Sequence, residues 1–278
     1  MTQFRAACVQ LRAGRDIGSN LDQAEDLIRQ AAKDGCVYIQ TPEQTATMEL
    51  NRAKLMEKIS PEENDEGLVR LRMLAKELGI WLHIGSMAVV ADELDDKGRS
   101  KAANRSFVID ADGKIQARYD KIHMFDVDLA NGESYRESSS FQAGEEAVLA
   151  TLPWGGLGLS ICYDVRFPHL YRSLSQKGAS LLAVPAAFTA KTGDAHWHIL
   201  LRSRAIENGA FVLAAAQGGV HENGRETYGH SLIIDPWGRI LAEAQDQPCF
   251  IAADLDMAKV SACRQSIPSL ANEQEFAL

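Results

Sequence analysis

Leu157-Gly158-Leu159-Ser160-Ile161-Cys162-Tyr163-Asp164-Val165-Arg166-Phe167-Pro168 begins as a run of apolar and small residues and ends at a proline. Proline suits the first turn of a helix, because its missing N–H would have had no acceptor there. A strand that stops at Cys162 before such a helix exposes the thiol to a cleft. The amides of the following turn can then support negative charge on sulfur. Such a position suits a nucleophile, provided that the rest of the chain brings a base and an oxyanion stabiliser to it.

Outward from this stretch, short β-like runs alternate with helical segments. Residues 4–10 read as a first strand, and residues 19–33 as a helix with Leu21, Ala24, Ile28, Ala31 and Ala32 along one face. Ser19 or Asn20 would cap that helix and Gly35 would end it. Residues 36–39 form a short buried strand leading into Pro42-Glu43. Residues 61–78 follow as a helix whose acidic first turn complements the helix dipole, and residues 81–90 as the next strand. Residues 91–101 are charged and read as an exposed loop, and 106–109 and 115–119 as a hairpin about Asp112-Gly113. Pro168 opens a helix ending near Gly178, 180–184 is a strand, and 194–208 is a helix stopped by Gly209. The last third is strand-rich: 211–216, 230–234, 239–244 and 250–255, with Asp235-Pro236-Trp237-Gly238 as a turn. Mixed strands with helices between them imply an α/β protein whose sheets are covered by helices. No repeat, low-complexity tract or linker divides the chain, so a single domain over residues 1–278 is expected.

The 278 residues are 46% hydrophobic and 24% charged, with a net charge of -9. That acidity speaks against nucleic acid or an anionic membrane as the main partner. No apolar run approaches the ~20 residues of a membrane span, and no secretory signal is visible at the N-terminus. Cys8, Cys36, Cys162, Cys249 and Cys263 are scattered without a CxxC pair, which suggests neither a disulfide framework nor a zinc knuckle. A reduced cytoplasm is the expected location.

Three segments each place one reactive side chain just past a strand: Glu43 after residues 36–39, Lys121 after the hairpin, and Cys162. Taken singly, Glu43 reads as a surface or capping carboxylate, Lys121 as a solvated charge and Cys162 as a small core residue. Together they amount to a nucleophile, a general base and an electrostatic stabiliser for attack on a carbonyl or nitrile carbon. The histidines do not suggest a metal site. His196 and His198 are two apart in a helix and point away from each other. His123 reads as a structural hydrogen-bonding residue beside Lys121, and His230 as a buried, satisfied one.

Pro42-Glu43, Tyr119-Asp120-Lys121-Ile122-His123, Ile161-Cys162-Tyr163-Asp164-Val165-Arg166-Phe167-Pro168, and Gly229-His230-Ser231 before Asp235-Pro236-Trp237-Gly238 occur in this order. In these motifs the chain resembles the carbon–nitrogen hydrolases of the nitrilase superfamily, from Phe4 to about residue 268, leaving 269–278 as a C-terminal tail. The resemblance implies a four-layer α-β-β-α sandwich, a homodimer formed through helices near the active site, and neither metal nor organic cofactor. It maps the catalytic Glu, Lys and Cys onto Glu43, Lys121 and Cys162. A second glutamate is expected between the lysine and the cysteine. Glu133 and Glu137 are the candidates, and Glu137-Ser138 matches the family pattern better.

Glu43 would take the thiol proton, Lys121 would favour the thiolate, and Lys121 with the Tyr163 N–H would stabilise the oxyanion. Glu137 would hold Lys121 or help to position substrate. Within the superfamily, residues 121–128, 195–197, 202–208 and 228–231 resemble the amidases of deaminated glutathione, with the omega-amidases of α-ketoglutaramate and α-ketosuccinamate next. A nitrilase, a carbamoylase and an idle scaffold of the same fold are the other readings. Such substrates carry carboxylates, for which Arg166 is the candidate; its alternative is a structural ion pair with Asp164 or Glu207. Thr41 before Pro-Glu, His169 after Phe-Pro and a tail without basic residues depart from the family pattern.

Overall fold

The computed structural model describes residues 3–94, 98–128, 132 and 134–277, with the backbone alone at 92 and 93. Two sheets make the frame. In the first, the strands run in the order Cys249–Asp256, Gln3–Gln10, Tyr38–Gln40, Trp81–Leu94, Ser100–Ile109 and Ile115–Asp120, and Phe141–Gln142 pairs with Ser100–Ile109. In the second the order is Ile240–Glu243, Leu232–Ile234, Phe211–Ala214, Ala179–Ala183, Gly155–Gly158 and Leu149–Leu152. In each sheet the central strands run parallel and the flanking ones antiparallel, except that Phe141–Gln142 runs parallel to Ser100–Ile109.

The first strand shows how the layers arise. Side chains on a strand alternate between faces. Phe4, Ala6 and Cys8 join a core that includes Leu157, Leu181 and Leu213 of the second sheet. Ala7 and Val9 instead pack with Leu21, Ala24 and Ile28 of helix α1 (Ile17–Lys33) and Leu68, Leu71 and Leu74 of α3 (Glu66–Leu78). The short α2 (Arg52–Met56) lies between those two in sequence. Helices α4 (Pro168–Gln176) and α5 (Ala190–Asn208) pack on the second sheet through Leu170, Leu174, Trp197 and Leu201. The layers are therefore α-β-β-α, as the sequence resemblance implies. Helix α6 (Ala258–Ser266) follows the strand Cys249–Asp256.

Several boundaries differ from the sequence-based expectation, each for a local reason. Helix α1 is capped by Asp16, whose carboxylate accepts from the Ser19 N–H at 2.8 Å, and not by Ser19 or Asn20. Residues 61–78 are broken by a 3-10 turn at Glu62–Asn64, because Asp65 caps α3 by accepting from the Leu68 N–H at 2.7 Å. The expected loop at 91–101 is partly strand, since Leu94 pairs with Ser100 across the hairpin. Helix α5 starts at Ala190 rather than 194. Gly193 lies inside that helix, and a glycine is needed there because an added Cβ would collide with the Tyr228 ring.

Candidate active site

The two sheets meet so that three chain ends converge. The strand Tyr38–Gln40 delivers Thr41-Pro42-Glu43, and Ser86 accommodates the turn by donating its N–H to the Pro42 carbonyl at 3.2 Å. Gly85 is required beside it, because a Cβ there would collide with the Thr41 carbonyl and the Pro185 ring. The strand Ile115–Asp120 leads into Lys121, whose N–H donates to Asn104 O at 3.1 Å and whose carbonyl accepts from Gly144 N at 2.8 Å. The strand Gly155–Gly158 leads to Cys162, which has φ +50° and donates its N–H to Pro185 O at 2.9 Å. A left-handed backbone at a non-glycine residue is uncommon and points to a position fixed by its surroundings.

Glu43, Lys121, Glu137 and Cys162 come together as expected. Lys121 is 2% exposed, and its Nζ lies 2.9 Å from Glu43 Oε1 and 2.8 Å from Glu137 Oε2. Asn104 donates Nδ2–H to both carboxylates, at 2.9 Å to Glu43 Oε1 and 3.2 Å to Glu137 Oε1. The Ala187 N–H donates to Glu43 Oε2 at 2.8 Å, and the Phe125 N–H to Glu137 Oε2 at 2.7 Å. Gln217 Nε2 donates to the Glu43 carbonyl at 3.0 Å, fixing the backbone behind the carboxylate. Glu133, the other candidate for the second glutamate, lies outside the described residues.

Burial sets the protonation pattern. It would raise the Glu43 carboxyl, but the Lys121 ammonium outweighs it and holds Glu43 below the usual carboxylate range. Burial would likewise lower Lys121, yet Glu137 and Glu43 keep the ammonium charged well above its ordinary range. Cys162 goes the opposite way. Burial pushes the thiol well up, the Glu43 carboxylate adds to this, and Lys121 only partly offsets them. At rest the site therefore holds an ionised Glu43, an ammonium and a neutral thiol, with Lys121 favouring the thiolate but outweighed by burial and by Glu43.

Asp164 locks the nucleophile turn to the lysine turn. It is fully buried. Its Oδ2 accepts from the Ile161 N–H at 2.8 Å and the Tyr119 hydroxyl at 2.7 Å, and its Oδ1 lies 3.0 Å from the His123 N–H and 2.7 Å from His123 Nδ1. One carboxylate thus ties the residue before Cys162 to the residues flanking Lys121. Asp164 is therefore not the partner of Arg166, and Glu207 pairs with Arg204 at 3.0 Å. The structural ion-pair reading of Arg166 fails. Its guanidinium lies over the rings of Phe188 and Tyr163, at 5.1 and 5.9 Å, and Nη1 is 3.2 Å from His196 Nδ1. Asn104 and Gln217 were not legible as site residues, because an amide carries no motif until the fold aims it.

Glu43, Lys121, Glu137 and Cys162 line a cavity of about 410 Å³, together with Tyr163, Arg166 and Arg225. Arg225 donates to the Ala187 carbonyl at 2.7 Å and its guanidinium lies 5.7 Å from the Tyr135 ring centroid. The cavity is lined by a thiol, an ionised carboxylate, an ammonium and the guanidinium groups of Arg166 and Arg225. That combination suits acyl transfer from a substrate that carries negative charge.

The sequence pattern of the Carbon-nitrogen hydrolase family matches residues 5–265. A deaminated glutathione amidase from Yersinia enterocolitica is 38% identical over 273 residues, covering 97% of this chain and 93% of that protein. The omega-amidase NIT2 of Homo sapiens is 33% identical over 268 residues, covering 96% and 94%. Among solved structures, a mutant of the amidase from Nesterenkonia sp. AN1 carries the acetamide moiety of fluoroacetamide covalently on its active site cysteine. It superposes with a TM-score of 0.80 at 26% identity, covering 98% of this chain and 94% of that one. The chain accordingly belongs to the carbon–nitrogen hydrolase family, whose members cleave carbon–nitrogen bonds other than peptide bonds.

Proposed function

We propose that this chain is an amidase that hydrolyses deaminated glutathione through a thioester on Cys162. The observation that carries the reading is the buried contact of Lys121 with both Glu43 and Glu137 beneath a cysteine held in a left-handed turn. A buried ammonium between two carboxylates is costly unless all its partners are in place. Its geometry here is over-determined by Asn104 and by the N–H groups of Ala187 and Phe125.

The chemistry balances within the site. Glu43 takes the Cys162 proton as sulfur attacks the amide carbon, so the net charge of the cluster does not change during transfer. The oxyanion is stabilised by Lys121 and by the Tyr163 N–H, one of the donors that the start of the turn Cys162–Arg166 leaves without a helical acceptor. The tetrahedral adduct expels the amine, which takes the proton back from Glu43, and the carbonyl stays on sulfur as a thioester. Glu43 then deprotonates water, hydroxide adds to the thioester carbon, and the acid leaves as the proton returns to sulfur. Glu137 fixes Lys121 through both its oxygens. No step requires a metal or organic cofactor.

Arg166 is assigned to the substrate carboxylate, and the cavity has room for a Cys-Gly leaving group. The similarity to the human omega-amidase supports α-ketoglutaramate as the second substrate. A cytoplasmic homodimer of one catalytic domain, core about 4–268, completes the reading. The exposed Ile199 and Ile206 on α5 offer apolar surface for the partner.

The test is a panel of deaminated glutathione, α-ketoglutaramate, a nitrile and an N-carbamoyl amino acid. The expected order of kcat/KM places deaminated glutathione first and α-ketoglutaramate second. Turnover of the nitrile or carbamoyl compound above both amides would overturn the assignment, and inertness toward all four would favour an idle scaffold.

A further inference from the structure

Away from the cavity, three side chains from three different elements converge on one point. His198 comes from the middle of α5, His230 follows Gly229, and Glu243 ends the strand Ile240–Glu243. His198 Nε2 lies 2.8 Å and His230 Nδ1 3.0 Å from the same oxygen, Glu243 Oε1. The donor atoms of all three lie within 4.8 Å of one another. The i,i+2 spacing that separates His198 from His196 is no obstacle, since the second imidazole arrives from another part of the chain. His230, expected to be buried, is half-buried with a side-chain exposure of 28%.

The histidine that completes the group is unusually well held. His230 has φ +51°, its N–H donates to the Gln245 carbonyl at 2.8 Å, and its own carbonyl accepts from Trp197 Nε1 at 2.8 Å. Its ring stacks on Tyr228 with a centroid distance of 4.3 Å and an interplanar angle of 25°. Backbone and ring are thus both fixed, and they aim Nδ1 at the carboxylate. A separate open concavity lined by His230, Glu243, Ala244, Gln245 and Asp246 adjoins the group.

We propose that His198, His230 and Glu243 bind a divalent transition metal of the zinc class, with water completing the coordination. Two imidazoles and one carboxylate are ligands that zinc favours, and three protein ligands leave a position for solvent. Metal–ligand bonds of about 2.0–2.2 Å in tetrahedral geometry require donor atoms roughly 3.3 Å apart. The two N···O distances need open by only a few tenths of an ångström. Binding requires the ring nitrogen that faces Glu243 Oε1 to be unprotonated, so a proton there shifts to the other ring nitrogen of a neutral imidazole or is released to solvent from an imidazolium. The metal would pin α5 to the edge of the second sheet. This proposal is independent of the amidase reading.

Zn²⁺ alone, titrated calorimetrically into full-length Cys162→Ala protein, removes the catalytic thiol as a competitor. One equivalent per chain is expected to bind. Affinity should fall by about a hundredfold or more in His198→Ala and in Glu243→Gln. His230→Asn, which tolerates the left-handed backbone, should lose binding as well. Co²⁺ in place of Zn²⁺ should give the visible bands of a tetrahedral site in the parent and not in these variants. Absence of saturable binding, or the same stoichiometry and affinity in the three variants as in the parent, overturns the proposal.

Discussion

Asp164→Asn preserves the shape of the side chain and tests whether one carboxylate holds the active site together. Four donors reach it: the N–H groups of Ile161 and His123, the Tyr119 hydroxyl and His123 Nδ1. The hydroxyl can rotate and the imidazole can change tautomer, so those two adapt to an amide. The two backbone N–H groups cannot, and they address different oxygens, Oδ2 for Ile161 and Oδ1 for His123. Whichever way the amide is turned, its NH₂ faces one backbone N–H in a fully buried place. An orphaned buried donor costs about 1–3 kcal/mol, and losing charge assistance on the remaining bonds adds about 1–2 kcal/mol. The sum, about 2–5 kcal/mol, is a large share of the stability of a typical domain. Urea unfolding followed by tryptophan fluorescence should show that loss. At temperatures where the variant stays folded, kcat for deaminated glutathione should drop by roughly a hundredfold, as expected for groups displaced by about 1 Å. A variant within about 0.5 kcal/mol of the parent, with unchanged kcat, would refute the argument.

Cys162→Ala should abolish amide hydrolysis while leaving the circular dichroism spectrum unchanged, because the thiol contributes little to the core beyond one small side chain. Lys121→Met should lower kcat by about 10²–10³ through loss of the oxyanion donor, and should lower Tm as two buried carboxylates lose their cation. Glu43 is held below its ordinary 4.5, so the stability it contributes is fully present above that value and is lost only as pH falls through its lower folded pKa. Since Glu43 acts ionised and Cys162 protonated, kcat/KM should be flat from about pH 5.5 to 8. A limb with an apparent pKa near 7 would show that a different base is at work. Arg166→Ala should raise KM for α-ketoglutaramate by about tenfold or more with a smaller change in kcat, measured by steady-state kinetics.

Glu43, Lys121 and Cys162 were legible because each follows a strand and sits in a short motif, so local order already indicated convergence. Glu137 was legible only through the family pattern around Glu137-Ser138. Asn104 was not, since an amide in mid-strand has no periodic or spacing signal; its role comes from the pairing that places it between two carboxylates. Asp164 stood within the nucleophile motif, but as a neighbour of Arg166 in sequence it suggested an ion pair that the turn directs elsewhere. The four layers were legible only through the family resemblance, because periodicity does not fix the number of layers, and the number of strands in each sheet depends on pairings between distant segments such as Gln3–Gln10 with Cys249–Asp256. The start of α5 was hidden because Gly193 is placed by tertiary contact with Tyr228, against its own helical preference.

The left-handed backbone at Cys162 carries a consequence for how this fold divides its free energy between durability and chemistry. At φ +50°, an L side chain costs on the order of 1–2 kcal/mol relative to the ordinary helical region. Glycine would occupy the position without that penalty. Cys162→Gly should therefore unfold at higher urea than Cys162→Ala, although alanine is normally the more stabilising residue. The sulfur is presented to the cavity by a turn that, on stability alone, favours a residue without a side chain, so the most comfortable occupant of position 162 is one that cannot react.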